Sequence, residues 1–200
     1  MKNTSTNKRP GPGRIGAQAV RASERQSKSN SRPTGDTAWT VRPLAPRDHA
    51  ALLRINAANV PDVTLITATD LAQLLRFDGL HLVAVDALDA VLAYLLSFPS
   101  ASAYDDEEIG HLRRLVPAPF HCVAQVAVDA AHRGRGIGRH FHATVARLAR
   151  RRGVRTVCTD VNLDPPNHAS LEFHRRLGFT PSGQATLSSG WTIAFLARSL

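Results

Sequence analysis

The sequence predicts an α/β or α+β domain with one central sheet, and three observations lead to that fold class. The chain has 200 residues, which suits one domain of ordinary size. Hydrophobic residues make up 43% of it and charged residues 20%, as is typical of globular proteins. From residue 120 onward, segments with strand-like and helix-like hydrophobic spacing alternate, as they do around a central sheet.

The first 37 residues differ in composition from the rest. They are rich in Ser, Thr, Asn, Gly and Pro, and their eight basic and two acidic side chains supply +6 of the net charge of +9. Such a segment lacks the apolar surface that offsets the entropy lost on ordering. We therefore predict a disordered basic tail over residues 1–37 and a folded domain over 38–200. Contact with nucleic acid is considered only for this tail, because Lys and Arg attract phosphates without sequence preference.

The first half of the domain contains five predicted elements. Pro46 and Asp48 favour the start of a helix, and the short Asp/Ala turn after Asp86 indicates a hairpin. The elements are a strand over Thr40–Leu44, a helix from Pro46 that carries Leu52, Leu53 and Ile55, a short helix over Thr69–Phe77 with its cap near Thr69 or Ala68, and hairpin strands over His81–Asp86 and Ala90–Phe98. Residues 99–119, which include the acidic run at 105–108, are predicted to be irregular.

The pattern is clearer in the second half. Five residues recur at helical spacing before Gly153, a C-terminal stop: Ile137, Phe141, Thr144, Val145 and Leu148. A further helix is predicted over Asn167–Leu177, stopped by Gly178. Strands are predicted over Cys122–Val128, Val154–Val161 and Trp191–Ala197.

A glycine-rich turn between a strand and a helix carries the most informative chemistry. It reads Val126-Ala-Val-Asp-Ala-Ala-His-Arg-Gly-Arg-Gly-Ile-Gly-Arg139. The glycines let the backbone approach a ligand closely, its N–H groups can surround a phosphate, and the start of the helix adds partial positive charge. Arg133, Arg135 and Arg139 add full charges. The turn therefore predicts a pyrophosphate site.

Two other phosphate-binding devices fit this turn less well. The loop of nucleotide hydrolases needs Gly-Lys-Ser/Thr, and no lysine follows the tail. A dinucleotide fold finds an acid for the ribose in Asp160, but Asp129 to His132 separate the strand from the turn and the spacing is G-x-G-x-G. The dinucleotide fold stays open as the second interpretation.

A family resemblance gives the turn a more specific meaning. It resembles the acetyl-CoA loop of the GNAT superfamily of N-acetyltransferases, Gln/Arg-x-x-Gly-x-Gly/Ala, at each fixed position from Arg133 to Gly138. Downstream, Asn167-His-Ala-Ser-Leu-Glu-Phe-His-Arg-Arg-Leu-Gly-Phe179 is similar to the family's Asn-x-x-Ala/Ser-x-x-Phe-Tyr-x-x-x-Gly-Phe segment. The likeness is strong over residues 120–180 and rests on element order alone over 39–119. The signature looks like that of a bacterial branch of the family.

The resemblance implies a fold, a cosubstrate and binding residues. The expected fold is a mixed sheet of six or seven strands, splayed in the middle, with about four helices, and acetyl-CoA lies in the opening. Residues 134–139 are implied to wrap its pyrophosphate, while backbone groups of Val126 and Val128 hold the pantetheine arm and Asn167 contacts it. The complete implied set is Val126, Ala127, Val128, Arg133, Gly134, Arg135, Gly136, Ile137, Gly138, Arg139 and Asn167.

The resemblance also implies direct attack of an amine on the thioester, with a base for the amine and a proton donor for the thiolate. The usual donor, a tyrosine, is replaced here by His174. A histidine can donate when protonated or bond to sulfur, and a place at the rim of an amphipathic helix explains it equally well. Asp160, expected at the end of a strand, is the candidate base, although an acid that only bonds a turn also fits there.

The remaining features set limits on function. Cys122 and Cys158 are predicted to be buried thiols, and His140 and His142 are two apart on a helix, so no metal site is expected. No apolar run reaches the length of a membrane helix, and we expect a cytoplasmic monomer or homodimer.

The predicted function is N-acetylation of a protein N-terminus, a lysine or a small amine. A non-catalytic acyl-CoA sensor and a nucleic-acid-associated protein acting through the tail are the alternatives.

Overall fold

A computed structural model describes residues 38–200, so the predicted tail over 1–37 lies outside the described residues. Seven strands form one sheet in the order β1-β2-β3-β4-β5-β7-β6. They are β1 Thr40–Pro43, β2 Leu82–Val85, β3 Val91–Pro99, β4 Phe120–Val128, β5 Thr156–Asp164, β6 Thr180–Thr186 and β7 Thr192–Ser199. The β4–β5 pair is parallel and the other five pairs are antiparallel. The mixed sheet and the β2–β3 hairpin confirm the predictions.

Five α-helices and two short 3₁₀ segments accompany this sheet in the described part of the chain. The helices are α1 His49–Ala58, α2 Ala68–Leu74, α3 Glu107–Leu115, α4 Ile137–Arg151 and α5 His168–Arg176, and the 3₁₀ segments are Pro46–Asp48 and Ala130–His132. The cap of α2 is Thr67, one residue before Ala68 and two before Thr69, the predicted positions. No helix within residues 38–200 is both long and apolar enough to cross a membrane.

The sheet lies between two layers of helices. Alternate residues of β2 point to opposite faces: Leu82 and Ala84 join the core under α4, and Val83 and Val85 join the core under α1 and α2. The α4 core contains Ile137, Phe141 and Val145, as their helical spacing predicts. Left-handed glycines end both predicted helices, Gly153 with φ 75° and Gly178 with φ 83°.

The prediction that residues 99–119 are irregular is wrong, because they contain α3. Asp106 caps this helix by accepting a hydrogen bond from the N–H of Ile109 at 2.8 Å. Glu107 follows the cap and Arg113 lies in the last turn, each at the end that the helix dipole favours. Ile109 and Leu112 are buried one turn apart. The acidic run therefore marks the start of a helix.

Strand β6 was also missed, and it is an edge strand rich in breakers. Its sequence Thr-Pro-Ser-Gly-Gln-Ala-Thr carries a proline and a glycine that argue against a central strand. Pairing with β7 along its whole length makes it a strand. A Cβ at Gly183 would lie 2.9 Å from Leu115 of α3, so both missed elements meet at a position that requires a small residue.

A buried ion pair fastens β1 to the first helical turn. Asp48 is 2% exposed and accepts hydrogen bonds from Arg42 at 2.7 and 2.8 Å and from the N–H of Ala45 at 2.8 Å. The bond from Arg42 is the main reason that the pKa of Asp48 lies below its usual value. The ionised carboxylate is therefore part of the folded structure at neutral pH.

We predict that Asp48→Asn lowers the free energy of unfolding at pH 7 by about 2 kcal/mol, because a charged acceptor of three hydrogen bonds is lost. A group with a lowered folded pKa contributes stability above its ordinary pKa of 3.8 and loses it as the pH falls through the lowered value. The difference between wild type and variant should thus shrink in acid. Urea unfolding at several pH values measures it, with the exposed Asp78→Asn as control. Equal losses in both variants would contradict the assignment.

Candidate functional site

The sheet opens between its two central strands, β4 and β5. Each strand has nine residues, but they pair only from Phe120 opposite Thr156 to Val123 opposite Thr159. At the last rung the hydroxyl of Thr159 donates to the carbonyl of Val123 at 3.0 Å. Beyond it, β4 continues beside β3 and β5 continues beside β7. We call this opening the split.

A bulge in β4 lies at the mouth of the split. Leu96 of β3 is opposite Gln125 and Ser97 is opposite Val123, so Ala124 is an extra residue in β4. Bulges of this kind bend a strand and increase its twist. Because the bulge directly follows the last β4–β5 rung, it accounts for the departure of β4 from β5.

Backbone groups of β4 face the split at alternate residues. The N–H of Asp129 donates to the carbonyl of Leu92 at 2.8 Å, so the groups of Ala127, two residues earlier, also point to β3. Those of Val126 and Val128 then point toward the split. Consistent with this, the carbonyl of Val128 accepts from Nε of Arg133 at 3.4 Å, outside the β3–β4 ladder.

The glycine-rich turn lies beside the split and starts α4. Gly134 and Gly136 adopt φ of 76° and 81°, values that favour glycine, and a Cβ at either position would meet no atom of the described part of the chain within 4 Å. The first intrahelical bond of α4 runs from His140 to the carbonyl of Gly136 at 3.0 Å. The N–H groups of residues 137–139 are thus free of helical partners, and this arrangement suits an anion.

One cavity of about 1120 Å³, the main cavity, joins the split to this turn. Its walls come from β4, β5, the turn, α4, α5 and the segment between α1 and α2. The predicted site residues on its wall are Val126, Ala127, Val128, Arg133, Gly134, Gly136, Ile137, Gly138, Arg139, Asp160, Asn167 and His174. Arg135, which is exposed, is the predicted residue that does not line it.

The α1–α2 segment, residues 59–67, forms a wall that the sequence did not indicate. Arg133 of the turn donates to Oδ1 of Asn59 in this segment at 2.7 Å. Asn56 of α1 is fully buried and donates to the carbonyl of Thr64 at 3.0 Å and to Tyr94 at 2.9 Å. Tyr94 in turn donates to Gln125 of β4 at 2.7 Å. A polar Asn on the apolar face of α1 is the signal that could have found this network.

Asp160 lies within β5 rather than at its end. The strand continues to Asp164 because it pairs with β7, and Asp160 is opposite Phe195 in that ladder. It is the first residue after the last β4–β5 rung, at Thr159, and its half-buried side chain lines the main cavity. The carboxylate is therefore at the inner end of the split.

His174 is 7% exposed and lines the same cavity from α5. Its Nδ1 lies 2.8 Å from the carbonyl of Ser170, an acceptor, so Nδ1 carries the proton in that bond. Burial lowers the pKa of His174 below its usual value. The ring is therefore neutral near pH 7, with Nε2 as a hydrogen-bond acceptor.

Asn167 caps α5 at the cavity wall. Its Oδ1 accepts from the N–H of Ser170 at 3.0 Å, which fixes the start of the helix. Phe173 lies three residues after Ser170 in α5. It approaches the glycine-rich turn so closely that a Cβ at Gly138 would lie 3.1 Å from its ring. The glycine-rich turn and α5 are thus packed at a position that needs glycine.

Comparison with known families decides what this arrangement is. A model of the acetyltransferase (GNAT) family matches residues 59–179, more than half of the chain. The chain belongs to this family. It is therefore an acyltransferase, and its family uses acetyl-CoA. No curated protein matches the chain.

Solved structures support the fold of the acetyltransferase. Ard1 from Thermoplasma volcanium is 18% identical, with a TM-score of 0.64 over 82% of this chain and 98% of that one. The ribosomal-protein-S18-alanine N-acetyltransferase of Escherichia coli is 16% identical, with a TM-score of 0.61 over 81% and 94%. The ribosomal-protein-alanine N-acetyltransferase of Brucella melitensis is 25% identical, with a TM-score of 0.59 over 80% and 99%.

Four other chemistry-bearing residues of the acetyltransferase have structural roles. Asp105 pairs with Arg113 at 2.7 Å, and Glu107 accepts from Ser188 at 2.7 Å. Cys122 and Cys158 are buried and lie opposite each other in the parallel pair, where burial raises the pKa of both thiols. Within residues 38–200, no group of three or more His, Cys, Asp or Glu side chains is placed to hold a metal ion.

We predict that Gly136→Glu abolishes binding of acetyl-CoA that the wild type shows in the micromolar range. The variant puts a negative charge beside the free N–H groups of α4, where the pyrophosphate is predicted. Gly153→Glu is the matched control, because Gly153 also has a positive φ of 75° and open space for a Cβ. Calorimetry measures binding. Equal affinity of the two variants would show that the turn is not the phosphate site.

Proposed function

We propose that this acetyltransferase moves the acetyl group of acetyl-CoA to a primary amine, by direct attack of the amine within a ternary complex. One observation carries the proposal: the split, the free N–H groups of α4 and the carboxylate of Asp160 all line one cavity. These are the parts that a thioester donor and an amine need.

The donor fits the cavity in two sections. The turn at 134–139 offers backbone N–H groups, a helix start and Arg139 to a pyrophosphate. The groups of Val126 and Val128 that face the split offer a ladder edge to the amides of the pantetheine arm. An N–H of this edge also stabilises negative charge on the thioester oxygen during attack. Ala127 contributes packing, since its backbone groups point to β3.

Asp160 is proposed as the base. An amine is protonated at neutral pH, because the reference pKa is about 8 for an α-amino group and about 10.4 for lysine. Only the free amine attacks a thioester, so a carboxylate at the inner end of the split has a defined task. The proton passes from the ammonium to Asp160, the C–N bond forms and the C–S bond breaks.

His174 is proposed as an auxiliary group whose Nε2 accepts a hydrogen bond from the thiol of coenzyme A after the thiolate has been protonated. Its Nδ1 proton is engaged by Ser170, and its lowered pKa leaves little of the cationic form at neutral pH. The proton that the thiolate receives then comes from the amine or from water. This assignment differs from the donor role of the tyrosine that the family usually carries at this position.

The acceptor is proposed to enter beside the α1–α2 segment. Asp62 and Thr64 line this end of the main cavity together with Gln125 of β4. Two of the structures with a similar fold are named for acetylating an alanine of a ribosomal protein. Peptides that begin with alanine therefore come first in an amine screen, followed by lysine peptides and polyamines.

We predict that Asp160→Asn lowers kcat/KM for the best amine of that screen at least about 100-fold at pH 7, the scale of a lost general base. Because a higher pH deprotonates the amine without help, the deficit should shrink as the pH rises toward the pKa of the amine. Thiol release followed with a thiol-reactive dye measures the rate. Asp164→Asn, on an exposed residue of the same strand, is the control. A deficit that stays constant with pH would contradict the role of base.

We predict that His174→Ala lowers kcat less than about tenfold, since the neutral ring is not the source of the thiol's proton. The unfolding temperature of the variant is measured alongside, because the side chain is buried. A loss of hundredfold or more with an unchanged unfolding temperature would show that His174 is the proton donor after all.

A further inference from the structure

A second cavity of about 440 Å³ lies between α4 and the end of β7, and we call it the arginine groove. Five residues of α4 line it at spacings of three and four, so they form one face of the helix: Arg139, His142, Ala143, Ala146 and Arg150. The two alanines leave room between the charged ends. Leu177, Arg198 and Ser199 complete the wall.

Three guanidinium groups line this groove without a carboxylate partner among the described residues. Arg198 is half-buried, donates to the carbonyl of Leu177 at 2.9 Å and lies 5.4 Å from the ring centre of Phe179. Burial and the nearby charge of Arg150 lower its pKa. Like charges that face a shared groove repel each other, and a bound anion relieves that repulsion.

His142 is the second, independent sign of a ligand. It is 1% exposed, lines the groove, and neither ring nitrogen has a hydrogen-bond partner among residues 38–200. Its neighbours are the rings of Phe173, His174 and Phe179, at 5.1 to 5.6 Å between centroids. Burying an unpaired polar group is costly, so a missing partner in the groove is a physical expectation.

We propose that the arginine groove binds a phosphate group, held by Arg150 and Arg198 and by an N–H of His142, with Arg139 at the rim of the groove. Guanidinium groups bind phosphate through paired hydrogen bonds, and two of them match the charge of a dianion better than that of a carboxylate. The groove also has room for the group that carries the phosphate.

The groove shares Arg139 with the glycine-rich turn, but its centre lies away from that turn. Its centre, at Ala143 and Ala146, is seven to ten residues from Gly136, or roughly 10–15 Å along the helix at about 1.5 Å per residue. It meets the main cavity at Arg139 and Leu177, which line both. The phosphate could therefore come from either of two sources. One is the 3′-phosphate of the cosubstrate, which would reach over this rim, and the other is a separate phosphomonoester. The first source rests on the proposed function and the second does not.

Inorganic phosphate tests the groove directly. It is titrated into the full chain with labelled histidine, against chloride at equal ionic strength, while NMR follows the His142 ring. We expect a saturable shift that Arg150→Gln weakens about threefold to tenfold. Arg151→Gln, the same change on the neighbouring residue outside the groove, should leave it unaltered. His142→Phe should keep the fold and lose the stabilisation of thermal unfolding by phosphate.

Coenzyme A and its analogue without the 3′-phosphate distinguish the two sources. If the 3′-phosphate occupies the groove, its removal weakens binding to wild type and to Arg151→Gln, and has little effect in Arg150→Gln. If a separate phosphomonoester is the ligand, inorganic phosphate alone gives the His142 shift and the two coenzymes bind equally. Absence of both effects overturns the inference, while intact coenzyme binding would leave the proposed function standing. Loss of coenzyme binding with a clear phosphate shift would do the reverse.

Discussion

The departure of β4 from β5 is the constraint on which the rest of the structure depends. Beyond Val123 and Thr159 two neighbouring strands run on without pairing, so their inner backbone groups need other partners. The fold enforces the separation locally, with a bulge at Ala124 and with a hydrogen bond from the Thr159 hydroxyl to the carbonyl of Val123. Under the proposed function, the amides of the pantetheine arm form these bonds.

The glycine-rich turn, α5 and the α1–α2 segment surround the split and form the walls of the main cavity. The turn after β4 brings the start of α4 to its mouth, and Phe173 of α5 packs against Gly138 of that turn. On the other side, Arg133 ties the turn to Asn59 and thus to the α1–α2 segment. The guanidinium of Arg133 therefore connects two walls of the main cavity, the glycine-rich turn and the α1–α2 segment.

The predictable parts of this protein are those set by short stretches of sequence. Each of these features can be identified within about a dozen residues: the glycine-rich turn, the helical spacing of α4, and the stops at Gly153 and Gly178. Strands that form only by pairing with a distant part of the chain could not be predicted in this way. Strand β6 depends on β7, and the same partner extends β5 past Asp160.

The main cavity divides in the same way. The glycine-rich turn on its wall could be located from the sequence, because backbone conformation and charge are local properties, although Arg135 of that turn does not line the cavity. The wall formed by the α1–α2 segment was missed, since a buried Asn56 finds Tyr94 and Gln125 only after the chain has folded. The arginine groove could not be predicted either. In the sequence Arg150 is one of several arginines at a helix end, and only the folded chain brings Arg198 to the same cavity.

Amide hydrogen exchange at single residues, with and without acetyl-CoA, tests the central claim most directly. Without ligand, Ala127 should exchange slowly because it bonds to β3, while Val126 and Val128 should exchange faster. Acetyl-CoA should slow Val126, Val128 and the first residues of α4 and leave Ala127 unchanged. Protection that appears elsewhere, or equally at all three β4 residues, would contradict the account of the split as the donor site.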